Sequence, residues 1–163
     1  MSLEEYLIAE FKKRVFEESY SRIFKCLDLI SEAELWSKPN ANSNSIGNLI
    51  LHLHGNMRQW ICTSFAEKDD VRKRSEEFIA SIQMPKKELE KLLLDLKAEI
   101  LPIIDKISSQ DMLSEYKVQV FKENGVSILV HVIEHFSYHT GQIALLTKLN
   151  CNKDLEFYPF SLE

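Results

Sequence analysis

The sequence predicts an all-α protein folded as an antiparallel four-helix bundle. Three observations carry this reading. Apolar residues recur at helical spacing in four segments, each of roughly 20 residues or more. The four glycines and four prolines are too few for the many tight turns of an all-β sandwich. The chain has 163 residues, 45% of them hydrophobic and 28% charged, enough to bury a core as one domain spanning 1–163.

In the first segment, residues 3–31, Phe16, Tyr20, Ile23, Phe24, Leu27 and Ile30 repeat at helical spacing with Lys, Arg and Glu between them. The turn chemistry of Pro39-Asn40-Ala41-Asn42-Ser43-Asn44 follows. Asn44 or Ser45 then suits the N-cap of a second helix from Ile46 to Phe65. A charged stretch, 67–77, leads to Met84-Pro85, where proline fits a first helical turn. Leu89, Leu92, Leu93, Leu96, Ile100, Ile103, Ile104 and Ile107 mark the third helix, with a kink expected at Pro102. Residues 116–121 alternate weakly, as a short extended piece would, and Lys122-Glu123-Asn124-Gly125 reads as a turn. The fourth helix runs from Val126 to about Leu149.

Charge and cysteine usage exclude several classes. A net charge of −5 offers no basic footprint for nucleic acid. Arg72-Lys73-Arg74 is flanked by Asp69, Asp70, Glu76 and Glu77 and reads as a solvated loop, not a phosphate site. Cys26, Cys62 and Cys151 are odd in number and form no CxxC pair, which fits a reducing compartment. Met1 to Glu10 carries three glutamates and does not read as a signal peptide, and nowhere does an apolar run approach a membrane span. The expectation is a cytoplasmic protein with neither nucleic-acid nor membrane partners.

The histidines are the informative residues. Stepping 100° per residue from His135 on the fourth helix, His139 falls at about +40°, Gln142 at −20° and His131 at −40°. The same stripe carries Ile128, Val132, Leu146 and Leu149, so it faces inward. A pair at i, i+4 can converge on one ion, although each imidazole could instead be a core histidine bonded to a carbonyl. On the second helix, Ile46, Ile50, Leu53, Met57 and Ile61 define the apolar face. His52 shares the other face with Ser45, Asn48, Asn56, Gln59 and Thr63. Periodicity alone favours water for such a polar stripe. His54 is turned about 200° from His52 and cannot share an ion with it.

These residues form motifs that resemble a known family. Ser45-Ile46-Gly47-Asn48-Leu49-Ile50-Leu51-His52-Leu53, followed by Gly55-Asn56 and Arg58-Gln59-Trp60, resembles the second helix of the DinB-like superfamily. His131-Val132-Ile133-Glu134-His135-Phe136-Ser137-Tyr138-His139-Thr140-Gly141-Gln142-Ile143 resembles its last helix, which carries HxxxH followed by GQI. The resemblance implies a four-helix bundle, often dimeric, that holds a divalent metal through His52, His135 and His139. It also implies kinship with thiol transferases that use bacillithiol or mycothiol, although many members have no known reaction.

Three histidines leave a coordination position open, as catalytic sites do, and a metal there can activate a thiol or water. Zn or Ni leads the candidates, with Fe, Mn and Cu behind them. Gln142 and Asn56 lie near the ligand faces and could orient a bound molecule, or be ordinary amides. The run His131-Val132-Ile133-Glu134-His135 also matches HxxEH, the inverted zinc-peptidase motif. Against that match, Glu134 lies about 100° from His135, and only 28 residues follow to supply a third ligand. A di-iron bundle would need Glu-x-x-His, and no glutamate stands three residues before any histidine. A non-catalytic metal-binding or dimeric interaction module is the remaining alternative.

Overall fold

The computed structural model describes residues 2–79 and 83–158. Four long helices form the predicted bundle. Helix α1 covers 3–29 as Leu3–Lys12, a π-helical stretch Lys13–Ser19, and Tyr20–Leu29. After the short α2 (Glu32–Trp36), α3 covers 46–65 as Ile46–Met57, a second π-helical stretch Arg58–Cys62, and Thr63–Phe65. Helix α4 is Lys86–Ile104 and the short α5 is Ser109–Leu113. An antiparallel hairpin, β1 (Glu115–Val118) and β2 (Phe121–Asn124), then leads into α6 (Gly125–Cys151).

The apolar stripes meet as the periodicity requires. Phe11, Phe16, Tyr20, Ile23 and Leu27 of α1 pack with Leu89, Leu93, Leu96 and Ile100 of α4, Leu53, Met57 and Ile61 of α3, and Ile128, Val132 and Phe136 of α6. Tyr20 stacks on Phe136 with centroids 6.0 Å apart, and its hydroxyl donates to the Leu93 carbonyl at 3.0 Å. Ser45 is the N-cap of α3, in a capping box with Asn48.

The directions of the helices matter for the site. Lys12 pairs with Asp105 near one end of α1, while Lys86 donates to the Leu27 and Ile30 carbonyls at the other, so α1 and α4 run antiparallel. His52 meets His135, and Asn56 meets His131 further along, so α3 and α6 also run antiparallel. Helices α3 and α4 run the same way. Gly47 and Met84 both contact Trp36 at one end, and Arg58 pairs with Glu99 further on. Two consecutive helices in the same direction need a connection that returns along the bundle. Residues 66–79 of that connection lie against α3.

Several local expectations differ from the structure. Helix α1 stops at Leu29, because Ile30 turns extended and Ser31 opens a new capping box for α2. Pro102 falls in the last turn of α4, where the helix ends at Ile104, before the expected Ile107. The turn read at Lys122–Gly125 is the end of strand β2, with Gly125 opening α6. The reversal occurs at Gln119-Val120, with Gln119 at φ 56°, and Asn124 instead accepts from the Ser127 N–H as the cap of α6. Gly125 is required by close packing: a Cβ there would lie 2.4 Å from the Asp111 carbonyl oxygen. Leu149, expected on the inner stripe, is 66% exposed in the last turns of α6. No helix among the described residues is long and apolar enough to cross a membrane.

Candidate metal centre

The polar stripe of α3 does not face water. Ser45, Asn48, His52, Asn56 and Gln59 are all buried, His52 to 5% exposure. Two neighbours cover them. Helix α6 brings its histidines against one side, and the connection from α3 to α4 lies over the other. Asn48 donates to the Glu77 carbonyl at 2.9 Å, and Gln59 donates to Asp70 at 2.6 Å and accepts from Arg72 at 2.8 Å. The π-helical stretch Arg58–Cys62 contributes too. It advances the chain by less than 100° per residue, which widens the buried face so that Gln59, Trp60, Ile61 and Cys62 are all inside.

His52, His135 and His139 come together, each offering one ring nitrogen, and these nitrogens lie within 4.8 Å of one another. The Nε2 atoms of His52 and His135 are 3.0 Å apart. His139 donates from Nδ1 to the Gln142 carbonyl oxygen at 2.7 Å, which leaves Nε2 as its lone-pair nitrogen. His52 faces Glu77 through Nδ1 at 2.8 Å. Burial pushes His135 down to about 3, helped by the neighbouring imidazoles of His139 and His52. Burial lowers His139 as well, against the Gln142 hydrogen bond, which favours its proton. Neutral imidazoles with converging lone pairs are the donor set that a divalent ion takes.

The other two histidines lie outside this group. His131 stacks on Trp60, with centroids 3.8 Å apart, and its Nε2 accepts from Asn56 at 3.3 Å. Glu134 is exposed, so the HxxEH arrangement does not assemble. His54 lines a cavity of about 420 Å³ with Leu51, Gly55, Arg58 and Cys62, and the cavity also borders Arg72 and Glu77. Of the two amides singled out from the sequence, Gln142 has its carbonyl engaged by His139, and it borders a groove formed with Asn42–Asn44 and Leu49. Asn56 keeps a buried Oδ1 with no partner among the described residues.

The reading of Arg72-Lys73-Arg74 as a solvated loop holds for two of its residues. Lys73 and Arg74 are exposed, but the Arg72 side chain is only 6% exposed and grips both Glu77 oxygens, Nε at 2.6 Å and Nη2 at 2.9 Å. Burial alone would raise the Glu77 carboxyl. The hydrogen bonds from His52 and Arg72 outweigh it and hold the group below the usual carboxylate value. Sequence reasoning missed Arg72 and Glu77, because a charge run without periodicity carries no sign of which member turns inward. All three cysteines are free.

The comparisons with known proteins agree with this fold. A DinB-like protein from Bacillus cereus ATCC 10987 superposes with a TM-score of 0.64 at 12% identity, covering 82% of this chain and 87% of its own. A conserved protein from Enterococcus faecalis superposes with a TM-score of 0.72 at 18% identity, covering 94% and 99%. No curated protein matches the sequence. The fold is therefore DinB-like. Residues 3–161 match the family described as "Protein of unknown function (DUF1572)", and the chain belongs to that family.

Proposed function

We propose that His52, His135 and His139 hold one divalent metal ion, Zn or Ni in the first place, and that the chain is an enzyme acting on a small thiol or on water, in the manner of an S-transferase or a hydrolase. The observation that supports this most is the convergence of three ring nitrogens on one point between α3 and α6, two of the rings being tied from behind by Glu77 and Gln142. An ion on three imidazoles keeps a position open and lowers the pKa of a thiol or water bound there. The protein's own groups then orient the reactants. Asn56 Oδ1, buried and unpaired, can accept from a donor on the bound molecule at the cost of no existing bond. The stacked pair of Trp60 and His131 supplies a flat wall one helical turn away. The working form in this reading is a cytoplasmic homodimer.

One observation favours a non-catalytic metal-binding module. Glu77, the carboxylate against the cluster, is fully engaged by Arg72 and His52, so it is not free to act as a base. Turnover separates the readings. The protein is loaded with Zn²⁺ or Ni²⁺ and offered a low-molecular-weight thiol with an electrophile, or an ester. Metal-dependent product formation that disappears in His135→Ala supports the enzyme. Stoichiometric metal with no turnover across both substrate sets supports the module.

A further inference from the structure

We infer that Glu77 is the positioning residue for His52, that Arg72 holds it in place, and that Gly55 is glycine because this pair lies on it. The inference rests on the metal site proposed above and assigns the part of the chain that prepares it.

A carboxylate only accepts hydrogen bonds, so the 2.8 Å contact between Glu77 Oε2 and His52 Nδ1 puts the proton on Nδ1. The neutral ring then carries its lone pair on Nε2, the atom that faces His135. The opposite tautomer would set an Nδ1 lone pair against the carboxylate and turn an N–H toward the other ligands. Arg72 Nη2, 3.1 Å from the same Nδ1, is a donor and would favour an Nδ1 lone pair, but it already donates to Glu77 Oε2 at 2.9 Å, and the shorter Glu77 contact decides for a proton on Nδ1. Its role is to bind both carboxylate oxygens in a fixed fork, which holds Oε2 toward His52.

Gly55 lies three residues after His52, on the same side of α3. A Cβ on it would stand 2.2 Å from Glu77 Oε1 and 2.9 Å from Arg72 Nε. Both are ends of flexible side chains, so alanine would displace the pair without breaking the helix. Carboxylate–histidine pairs behind a metal typically contribute 10–100-fold to its affinity.

Two readouts test this, one of them without metal. Imidazole ¹⁵N shifts of the metal-free protein report the tautomer of His52, and calorimetric titration with Zn²⁺ reports affinity. In the unsubstituted protein His52 is expected with Nδ1 protonated. In both Glu77→Gln and Gly55→Ala a mixture of tautomers is expected, with Zn²⁺ affinity about 10–100-fold weaker. Glu76→Gln, at an exposed neighbour, should change neither. Gly55→Ala keeps every polar group and decides the matter should Glu77→Gln fail to fold. The inference is overturned by a His52 protonated on Nε2 in the unsubstituted protein, by unchanged affinity in both variants, or by weakened affinity with the tautomer intact. Absence of Zn²⁺ binding in the unsubstituted protein would refute the metal site itself, while the tautomer measurement still decides the role of Glu77.

Discussion

Removing His135 tests the candidate site most directly, because its ring contacts both of the others. Its centroid is 4.9 Å from that of His52 and 4.5 Å from that of His139, and its Nε2 faces His52 Nε2. The effect of metal on stability sets the size of the expected signal. A free metal concentration 100 times the dissociation constant stabilises the folded state by about 2.7 kcal/mol. A chain of 163 residues unfolds with an entropy of roughly 0.34 kcal/mol/K, so that increment raises Tm by about 8 °C. If His135→Ala weakens binding about 100-fold, the same metal concentration contributes only about 0.4 kcal/mol, a shift of about 1 °C. The half-buried ring is not part of the apolar core, so the metal-free Tm should move by no more than about 3 °C, for a change of about 1 kcal/mol. Differential scanning fluorimetry with and without Zn²⁺, on His135→Ala and on the other four single histidine variants, provides the measurement. His52→Ala and His139→Ala should behave as His135→Ala does. His54→Ala, outside the three-histidine cluster, and His131→Ala, engaged by Trp60 and Asn56, should keep most of the shift. A full metal-induced shift in His135→Ala, or its loss in His54→Ala, would refute the assignment of the ligands.

Three further outcomes are expected. Burial holds His54, His131, His135 and His139 below the ordinary histidine value, so the unfolded chain binds more protons than the folded one once pH drops below about 6.5. Metal-free stability should therefore be flat between about pH 7 and 8 and decline toward pH 5, and a urea midpoint equal or higher at pH 5.5 than at 7.5 would contradict this. Phe136→Ala empties a fully buried position stacked on Tyr20 and should cost about 3–5 kcal/mol by chemical denaturation; a loss below about 1 kcal/mol would mean that α1 and α6 do not pack as described. Ser45→Ala removes a buried cap and leaves the Asn48 amide of α3 without its acceptor, so a loss of about 1–2 kcal/mol is expected in the same assay. A neutral result would place the start of α3 elsewhere.

Much of this protein is legible in its sequence because the relevant physics is local. The 3.6-residue repeat of Phe16, Tyr20, Ile23 and Leu27, or of Leu89, Leu93, Leu96 and Ile100, sets a buried face whatever the partner, and Ser45 and Asn48 cap a helix within one turn. The His135–His139 pair is local in the same sense, since i, i+4 spacing alone stacks two imidazoles on one side of α6. Other features depended on what lies opposite. Periodicity groups Ser45, Asn48, His52, Asn56 and Gln59 on one face of α3 but does not say what covers that face. Their burial follows from α3 and α4 running in the same direction, which brings residues 66–79 back along α3. Arg72 and Glu77 looked like the charged residues around them until the fold set them on Gly55 and behind His52. Asn124-Gly125 has the composition of a turn and of a helix start alike. Pairing of β1 with β2 and the contact of Gly125 with Asp111 decided between them. Helical faces and caps follow from neighbours within a few residues, whereas the burial of polar groups is set by segments distant in the chain. The sequence therefore determined the helices and the His135–His139 pair, and tertiary structure decided that His52, 83 residues before His135, would face them.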